Sequence, residues 1–588
     1  MSDKHININV PVLARVEGEG ALDLSIENNV ITNLKLRIYE PPRYFEKFLE
    51  GRSYKDVADV VARICGICPV AYQMSAIHAI ESIYQHNASQ WARDMRRLMY
   101  CGEWLQSHSL HIHMLAAPDF LGFNSIIEMA QEHAEEVRRG LSLQGLGNDL
   151  IRLLGGRSVH PVGVRAGGFF HAPAEEDVAS LLQQFKNARQ DAVDLIAWTA
   201  SLDLAEDEQD FTSVSLRHPD EYPMNEGRLI SDKGLDIGID EFDEHFREQH
   251  MLQSTALHCL LHDEPYLVGP LARLNNNRDL LSDESKALLN ATGITFPSRN
   301  MFHSIVARAV EIHFALNEAI RLMQAYKKPQ QPFDEVQVQA GVGFACTEAP
   351  RGILWHRYEL DSHGYVTSAR IVPPTSQNQA RIEQDIEKAL NHYGLDHDDK
   401  ELQLHAEKVI RNYDPCISCA THFLTLNVDR ASIPAATYGG QQAGKVVTLI
   451  AIGSPVVQDN LAWTLVDRLQ QDVTAGDINI IKLDRPGTNL LKYLRQDGQI
   501  YLLDAAITDV PTDNLLIMAA DHFMQNKQEI SSHDIGVAST LHLGKTLGQS
   551  LESVTVIGVP LQKNVNDISA DAYIDRLLNE LKICINVS

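Results

Sequence analysis

The sequence predicts two successive domains: an α-rich α+β domain with long helices and small peripheral sheets over residues 1–428, then a three-layer α/β/α domain over 445–588. Two observations support this division. A chain of 588 residues exceeds the usual size of a single domain. A stretch rich in Gly, Ala and Gln at 429–444, interpreted as a linker, precedes a segment in which short apolar runs alternate with helical segments.

The composition is that of an ordinary folded protein. Hydrophobic residues make up 44% and charged residues 22% of the chain, which argues against disorder and low-complexity behaviour. The formal net charge of −27 repels phosphate backbones and anionic membranes, so we expect neither nucleic acid nor a membrane as partner. The N-terminus lacks a signal-peptide pattern and the apolar runs are too short to span a bilayer, so we predict a cytoplasmic protein.

Four of the eight cysteines form two CxxC pairs. Cys65 and Cys68 lie in RICGICP, and Cys416 and Cys419 lie in DPCISCATH. Two intervening residues let both sulfurs of a pair turn toward one point when the pair lies in a tight turn or at a helix start. Because thiolates are soft ligands, four of them favour zinc, copper(I), nickel or an iron–sulfur cluster.

The separation of the two pairs bears on the kind of metal site. A structural zinc site normally closes a short loop, with its pairs roughly 15 to 20 residues apart. Here 351 residues separate Cys65 from Cys416, which favours a buried catalytic metal that joins the two ends of a large domain. A structural zinc site stays open as an alternative. The other cysteines have no mates at ligand spacing, and we expect them to be small buried apolar residues.

With both pairs considered together, the chain resembles the catalytic large subunit of nickel–iron hydrogenases. RICGIC and DPCxxCxxH are together typical of that family, and the blocks RVEGEG, PPRYFEKFLEGR, LQSHSLH, GGRSVHPVG, YPMNEGRL and EAPRG agree with it. The resemblance extends over about residues 10–425. The segments YPMNEGRL, EAPRG and IVPPTSQNQ most resemble the soluble, bidirectional NAD(P)-linked group.

The resemblance implies a nickel–iron centre whose iron carries carbonyl and cyanide ligands. It makes Cys65 and Cys416 terminal ligands of nickel, and Cys68 and Cys419 ligands that bridge nickel and iron. The implied reaction is the reversible heterolytic cleavage of H2, with Cys416 as proton acceptor and Glu17 of the RVEG motif as the next carrier. Without the motif, Glu17 would be interpreted as a solvated surface acid.

The resemblance also implies an ion pair beside the metal. Arg351 in EAPRG corresponds to an arginine at the open metal position, and Asp414 corresponds to its carboxylate partner. Without the resemblance, Arg351 would be interpreted as a surface or salt-bridge arginine. Pro415 is expected to restrict Asp414 to extended geometry, which would help to aim both side chains inward. Ser107 and Tyr72 stand where many relatives have a carboxylate and a histidine, which bears on redox potential and oxygen tolerance.

Two further sets of residues are candidates for supporting roles. Glu46 and His422 match the family's ligands to a buried magnesium or similar hard ion, although His422 alone would be interpreted as a capping or core histidine. His108 and His111 lie on a helix predicted from about 90 to 115 and share one face of it. We expect packing or supporting roles for these two histidines rather than metal ligation.

The C-terminal segment predicts a parallel sheet with crossover helices, because VVTLIAIG, INIIKL, IYLLDAAI and SVTVIGVPL alternate with helical segments. It resembles the hydrogenase maturation endopeptidases, whose nickel-recognising residues match Asn460, Asp504 and His533. The amide of Asn460 replaces a carboxylate, and an amide oxygen is a poor substitute toward nickel. Both an active cis-acting protease and a degenerate domain retained for docking or chaperoning agree with this pattern.

The partners of this chain are inferred from the electron-transfer and nucleotide-binding motifs that its sequence lacks. All four paired cysteines are assigned to one centre and no Gly-rich nucleotide fingerprint is present, so electrons must leave through a partner. The resemblance implies a small subunit with iron–sulfur clusters, subunits that bind FAD and NAD(P), and maturation proteins. Two alternatives are a non-catalytic relative such as the quinone-module subunit of respiratory complex I, against which the four cysteines argue, and a zinc-stapled scaffold or maturation chaperone.

Overall fold

The computed structural model describes most of the chain up to residue 421 and parts of the rest. The described residues are 5–10, 13–38, 45–251, 253–421, 447–453, 461–472, 478–484, 490–494, 499–506, 514–525, 537–546, 550–560, 574–575 and 578–579. The chain separates into two compact units, most of the first within 1–426 and most of the second within 427–588.

Helices dominate the region between residues 45 and 421. They are α1 (Phe45–Leu49), α2 (Tyr54–Val61), α3 (Pro69–Ile83), α4 (Gln90–Leu110), α5 (Ala117–Leu121), α6 (Ile126–Glu132), α7 (Ala134–Gly155), α8 (Glu175–Asn187), α9 (Arg189–Ala200), α10 (Phe242–His245), α11 (Pro270–Asn277), α12 (Asp283–Ala291), α13 (Ser304–Ala325), α14 (Pro374–Tyr393), α15 (Asp399–Asn412) and α16 (Ile417–Ala420). Long α13 packs against α4 and α9, and this contact forms much of the apolar core. No described helix is long and apolar enough to cross a bilayer.

Helix α4 shows how local sequence sets the ends of an element. It begins after Ser89, whose side chain accepts a hydrogen bond from the amide of Ala92 and so caps the first turn. The helix was predicted from about 90 to 115. It is α-helical to Leu110 and continues as a π-helical turn over His111–Ala116. Such turns are rare and often lie near functional residues.

Small antiparallel sheets surround these helices, as the fold class predicted. Their strands are β1 (His5–Val10), β2 (Gly20–Glu27), β3 (Val30–Ile38), β4 (Val164–Arg165), β5 (Gly168–Phe169), β6 (Val214–Arg217), β7 (Arg228–Ser231), β8 (Asp236–Ile237), β9 (Phe246–His250), β10 (Leu257–Leu261), β11 (Gly341–Ala349), β12 (Gly352–Leu360) and β13 (Val366–Val372). They pair as β1-β2-β3, β4-β5, β6-β7-β8, β9-β10 and β11-β12-β13. Helix α3 packs on β11 and β12, which explains why β12 is buried along most of its length.

The second unit contains a five-stranded mixed sheet in the order β15-β14-β16-β18-β17. Its described elements are β14 (Val447–Gly453), α17 (Leu461–Asp472), β15 (Ile478–Asp484), α18 (Leu490–Tyr493), β16 (Gln499–Ala506), β17 (Leu516–Ala519), α19 (Ala520–Gln525), α20 (Val537–Thr546) and β18 (Val554–Pro560). The four strands predicted from apolar runs pair in parallel, and α17 packs on β14 and β16. The antiparallel edge strand β17 was not predicted.

Candidate metal centre

The four paired cysteines meet in the first unit. Sγ atoms of Cys65, Cys68, Cys416 and Cys419 all lie within 4.8 Å of one another, and all four side chains are buried. Cys65 Sγ lies 3.3 Å from Cys416 Sγ, and Cys68 Sγ lies 3.6 Å from Cys419 Sγ. Within the described residues, no other group of three or more His, Cys, Asp or Glu side chains is placed to hold a metal ion. Sulfurs from both ends of the domain thus form one ligand set, as predicted.

Each pair lies at the start of a helix, which turns both of its sulfurs the same way. Cys65 ends a short 3-10 helix and Cys68 is the N-cap residue of α3. Cys416 is the N-cap residue of α16, and Cys419 lies within that helix. The amides of Ile67 and Cys68 donate to Cys65 Sγ at 3.3 and 3.5 Å, so the turn itself supports the charge of this thiolate.

The electrostatics of the four thiols favour a bound cation. Burial raises the pKa of the Cys416 thiol well above its usual value. The pKa of Cys65 is instead well below its usual value, because its sulfur accepts hydrogen bonds from Cys416 and then from the other two cysteines. The protein fold by itself therefore stabilises one thiolate more than the rest. Ligation of all four sulfurs as thiolates needs the positive charge of a metal, which displaces the protons.

An ion pair lies beside the cysteine cluster. Arg351 Nε donates to the carbonyl of Asp414 at 2.7 Å and Nη2 donates to Asp414 Oδ1 at 2.9 Å. Both side chains are only 2% exposed. Burial opposes the positive charge, but Asp414 and the cysteine thiolates together keep the pKa of Arg351 above its usual value. The guanidinium is therefore a permanent cation next to the four sulfurs.

The donor set and its surroundings fit a reactive bimetallic centre. Four buried thiolates by themselves suit zinc as well as nickel and iron. Among the described residues, Arg351 Nη1 and Asp414 Oδ2 have no hydrogen-bond partner although both atoms are buried. Buried polar atoms normally have partners, so these two atoms are available to a polar group or a water beside the sulfurs. A closed four-thiolate zinc site would leave both atoms unsatisfied.

The backbone of Asp414 differs from the prediction. Pro415 was expected to hold Asp414 in extended geometry, and this was wrong: φ of Asp414 is +53°, in the left-handed region. Asp tolerates this region better than most residues do. One local and one tertiary bond fix the turn: the amide of Asp414 donates to the carbonyl of Arg411 at 3.0 Å, and Arg351 donates to the carbonyl of Asp414.

Glu17 lies against the segment that carries the second cysteine pair. It forms an isolated parallel bridge with Cys416, in which the amide of Ile417 donates to the carbonyl of Glu17 at 2.9 Å. The amide of Ser418 donates to Glu17 Oε2 at 3.0 Å, and the residue is partly buried. These contacts place the carboxylate beside the start of α16 rather than free in solvent.

Two residues that support the cysteines were missed from the sequence. Glu103 in α4 is buried, and its carboxylate accepts hydrogen bonds from the amides of Val70 at 2.6 Å and Ala71 at 3.0 Å, directly after Cys68. Burial raises the pKa of Glu103 well above its usual value. Thr375 Oγ1 accepts from the amide of Cys416 at 2.9 Å. The sequence signal for Glu103 was an acid inside the apolar face of a predicted helix.

The two positions that depart from the family pattern are both inside the protein. Ser107 and Tyr72 are fully buried, and neither hydroxyl has a hydrogen-bond partner among the residues that the structure describes. Burial raises the pKa of Tyr72 well above its usual value, and the nearby thiolates of Cys419 and Cys68 raise it further. Tyr72 is therefore a neutral hydroxyl close to the cysteine cluster.

His108 in α4 and His111 in the π-helical turn that follows it bond to protein groups outside the cysteine cluster. His108 Nε2 lies 2.9 Å from Glu311 Oε2, and burial lowers the pKa of His108 to about 4. His111 Nε2 lies 2.7 Å from the carbonyl of Arg411 and must carry the hydrogen, since a carbonyl only accepts. His108 thus connects α4 to Glu311 in α13, and His111 connects the π-helical turn to Arg411 in α15.

Glu46 lies in α1 and is partly buried. Its Oε1 accepts a hydrogen bond from the amide of Ile371 at 2.7 Å, which ties α1 to β13. His422, its predicted companion at a magnesium site, lies outside the described residues.

Asp504 lies in β16, where it is the register partner of Gly558 in the parallel strand β18. It falls in the C-terminal part of the strand, which ends at Ala506. Asn460 and His533 lie outside the described residues.

Comparison with known proteins points to hydrogenases. The family described as nickel-dependent hydrogenase matches residues 43–153 and 261–422. Sulfhydrogenase 1 subunit alpha of Pyrococcus furiosus is 31% identical over 435 residues, which cover 72% of this chain and 100% of that protein. NAD-reducing hydrogenase HoxS subunit beta of Cupriavidus necator is 27% identical over 464 residues, which cover 70% and 94% of the two chains.

Solved structures agree with these sequence matches. An NAD+-reducing NiFe hydrogenase in the H2-reduced state has a TM-score of 0.65 and 25% identity, over 71% of this chain and 99% of that chain. The Ni-Fe-Se hydrogenase from D. vulgaris Hildenborough has a TM-score of 0.60 and 23% identity, over 71% and 100%. The second match concerns the fold alone.

Proposed function

We propose that this chain, which belongs to the nickel-dependent hydrogenase family, is the catalytic subunit of a bidirectional NAD(P)-linked enzyme that cleaves H2 reversibly and heterolytically. The observation that carries the proposal is the convergence of four buried cysteine sulfurs within 4.8 Å, next to a buried Arg–Asp ion pair. The same four sulfurs without that ion pair would support a zinc-stapled scaffold equally well.

The four cysteines would hold a nickel–iron centre whose iron carries carbonyl and cyanide ligands. We assign Cys65 and Cys416 to nickel alone, and Cys68 and Cys419 to both metals. When bound, this centre supplies the cleavage of dihydrogen. The chain supplies a buried site, since all four side chains are buried, and four anchoring sulfurs at two helix starts.

Cys416 and Glu17 are assigned to proton transfer. Cys416 is buried at the N-cap of α16, and its backbone pairs with that of Glu17. Glu17 is the proposed next carrier, because hydrogen bonds from the amides of Ile417 and Ser418 fix it beside the same segment. A fixed carboxylate is an effective relay when its pKa approaches that of its donor.

Arg351 and Asp414 are assigned to the electrostatics of the substrate site. The guanidinium is held at two points by Asp414, which leaves Nη1 for a group at the metal centre. A preorganised cation in a buried site stabilises developing negative charge without reorganising when the reaction occurs.

Electrons are proposed to leave through partner subunits. Within the described residues, no second metal-binding cluster of this chain offers a path for them. The relative from Cupriavidus necator is named as a subunit of an NAD-reducing hydrogenase, which supports partner subunits and a link to NAD(P). We further propose that these partners are a small subunit with iron–sulfur clusters and subunits that bind FAD and NAD(P). A cytoplasmic location and a magnesium ion held by Glu46 and His422 complete the proposal.

For residues 445–588 we propose relatedness to the hydrogenase maturation proteases, joined to domain 1–428 through linker 429–444. The mixed sheet and the position of Asp504 in β16 support the relatedness. Expression with maturation proteins, followed by mass analysis, distinguishes two roles. Cleavage after His422 that disappears in Asp504→Ala indicates a cis-acting protease, whereas an active, uncleaved subunit indicates a degenerate docking or chaperone domain.

Metal analysis and infrared spectroscopy of the purified complex test the proposed activity. We expect about one nickel and one iron per chain, carbonyl and cyanide bands, and H2-dependent reduction of NAD(P). Cys65→Ser should lose the bands, whereas Cys101→Ser, which alters a buried cysteine outside the cluster, should keep them. Zinc as the only metal would contradict the proposal and favour a structural scaffold.

A further inference from the structure

Arg273, in α11, is a fully buried arginine whose every N–H donor is used. Nε donates to Glu311 Oε1 at 2.8 Å and Nη2 donates to Glu311 Oε2 at 2.8 Å. Nη1 donates to Glu348 Oε2 at 2.8 Å. The remaining two hydrogens go to backbone carbonyls, those of Ala349 at 2.8 Å and Pro350 at 3.0 Å. A guanidinium has five N–H donors, so this fork is complete.

The two carbonyls belong to the residues directly before Arg351. The turn that follows packs directly against the start of α11 and leaves no space for an added Cβ atom. A Cβ on Gly269 would lie 2.8 Å from the carbonyl oxygen of Arg351, and a Cβ on Gly352 would lie 3.0 Å from the amide nitrogen of Gly269. Both glycines have positive φ, +114° and +136°. The backbone of Arg351 is therefore fixed by contact on one side and by Arg273 on the other.

The surroundings of Arg273 keep its own position fixed. The guanidinium carbon lies 4.3 Å from the ring centre of Trp104, a cation–π contact in a dry interior. Trp104 Nε1 donates to the carbonyl of Glu348 at 3.1 Å, and the hydroxyl of Tyr222 donates to Glu311 Oε1 at 2.8 Å. The backbone of Glu348 and the carboxylate of Glu311 are thus held in turn.

We propose that Arg273 is a positioning residue for Arg351. It holds the two peptide units that precede Arg351, and so sets where the guanidinium of Arg351 lies beside the cysteine cluster. The inference rests on the proposed function, because it concerns the placement of Arg351 at the metal site. Lysine cannot replace the clamp: it keeps the charge opposite Glu311 and Glu348, but three donors on one nitrogen cannot span two carboxylates and two carbonyls.

The test compares Arg273→Lys with Arg351→Lys and with Arg96→Lys in the purified, metal-loaded complex. Arg96 is a matched control, because it is buried and bidentate to Glu81 at 2.7 and 2.6 Å, without contact to the Arg351 turn. Each variant is measured for nickel and iron content, thermal midpoint, infrared carbonyl and cyanide frequencies, kcat and KM for H2.

We expect Arg273→Lys to keep its metals, to displace the infrared bands in the same direction as Arg351→Lys, and to lower kcat by about 10- to 100-fold, because small misplacements of reacting groups have effects of that size. Arg96→Lys should lower the thermal midpoint and leave the bands and kcat unchanged. Unchanged bands and kcat in Arg273→Lys would overturn the inference. Equal displacement in Arg96→Lys would also overturn it, since the effect would then be general loosening.

If the Arg273→Lys complex does not assemble, a milder variant tests the same inference. Trp104→Phe removes the bond to the Glu348 carbonyl and weakens the ring contact, while the five bonds of Arg273 stay available. It should displace the same bands by a smaller amount, and unshifted bands would count against the inference. Absence of carbonyl and cyanide bands from the wild-type complex would instead overturn the proposed function, so the two failures are distinguishable.

Discussion

Replacement of Glu17 by Gln separates proton transfer from structure at the proposed centre. The amide keeps an oxygen that can accept the hydrogen bond from the amide of Ser418, now 3.0 Å from Glu17 Oε2. The backbone bond from the amide of Ile417 to the carbonyl of Glu17 is unchanged by the substitution. What the side chain loses is its ability to take up and release a proton at neutral pH.

The two consequences differ in magnitude. A hydrogen bond to a charged group stabilises a fold by about 1.5–3 kcal/mol and one to a neutral group by about 0.5–1.5 kcal/mol, so the structural loss is about 1 kcal/mol. In a domain of this size such a loss lowers the thermal midpoint by less than about 4 °C. Removal of a general acid–base group slows a reaction by about 10²- to 10⁴-fold. Turnover should therefore collapse in a protein that is almost as stable as the wild type.

The assay is H2-dependent dye reduction by the purified complex, with nickel content and thermal midpoint measured on the same samples. Glu19→Gln is the matched control, because Glu19 is an exposed acid two residues further along. It should keep full turnover. If Glu17→Gln retained more than half of the wild-type turnover at equal nickel content, protons would leave by another route and the assignment of Glu17 would be refuted.

Three further substitutions test other parts of the site and fold. Cys416→Ser should lower nickel and iron content at least tenfold by metal analysis, because a serine hydroxyl is a hard ligand with a high pKa. Arg351→Met should lower the free energy of unfolding by about 3–5 kcal/mol in denaturant titration, since it leaves the buried Asp414 unpaired; Arg351→Lys should lose less. Burial raises the pKa of Asp385 to about 6. The folded state therefore binds more protons than the unfolded state between about pH 4 and 6, and the free energy of unfolding should fall by up to about 3 kcal/mol as pH rises through this window. Asp385→Asn should remove that slope from thermal midpoints measured between pH 4 and 7.

The cysteine cluster could be predicted from the sequence because its four ligands occur as two CxxC pairs. The residues that hold the pairs in place could not. Glu103, Thr375 and Arg273 are separated from their hydrogen-bond partners by long stretches of chain. In addition, the sequence alone does not distinguish a buried acid or arginine on a helix from a solvated one. Only the folded structure shows that Glu103 accepts from the first amides of α3.

The same distinction applies to the second unit. Strands β14, β15, β16 and β18 pair in parallel, and such strands are covered on both faces and appear as continuous apolar runs. Strand β17 lies in the apolar run LLIMAA at 515–520, but this run continues directly into α19, so the run by itself does not distinguish a strand from a helix. Pattern reasoning therefore found the four parallel strands, including β15 at one edge, and missed the antiparallel strand β17 at the other edge.

At Asp414 in the candidate site, tertiary hydrogen bonds outweigh a local backbone preference. The proline that follows favours extended backbone, and a non-glycine residue at positive φ costs of order 1–3 kcal/mol. Against this, Arg351 donates two charge-assisted hydrogen bonds to Asp414, each contributing about 1.5–3 kcal/mol in a buried site. The tertiary term is the larger, so the backbone adopts the conformation that the ion pair requires. Loss of Arg351 should consequently release this turn and leave the charge of Asp414 unpaired, while Thr375 still holds the amide of Cys416 two residues further on.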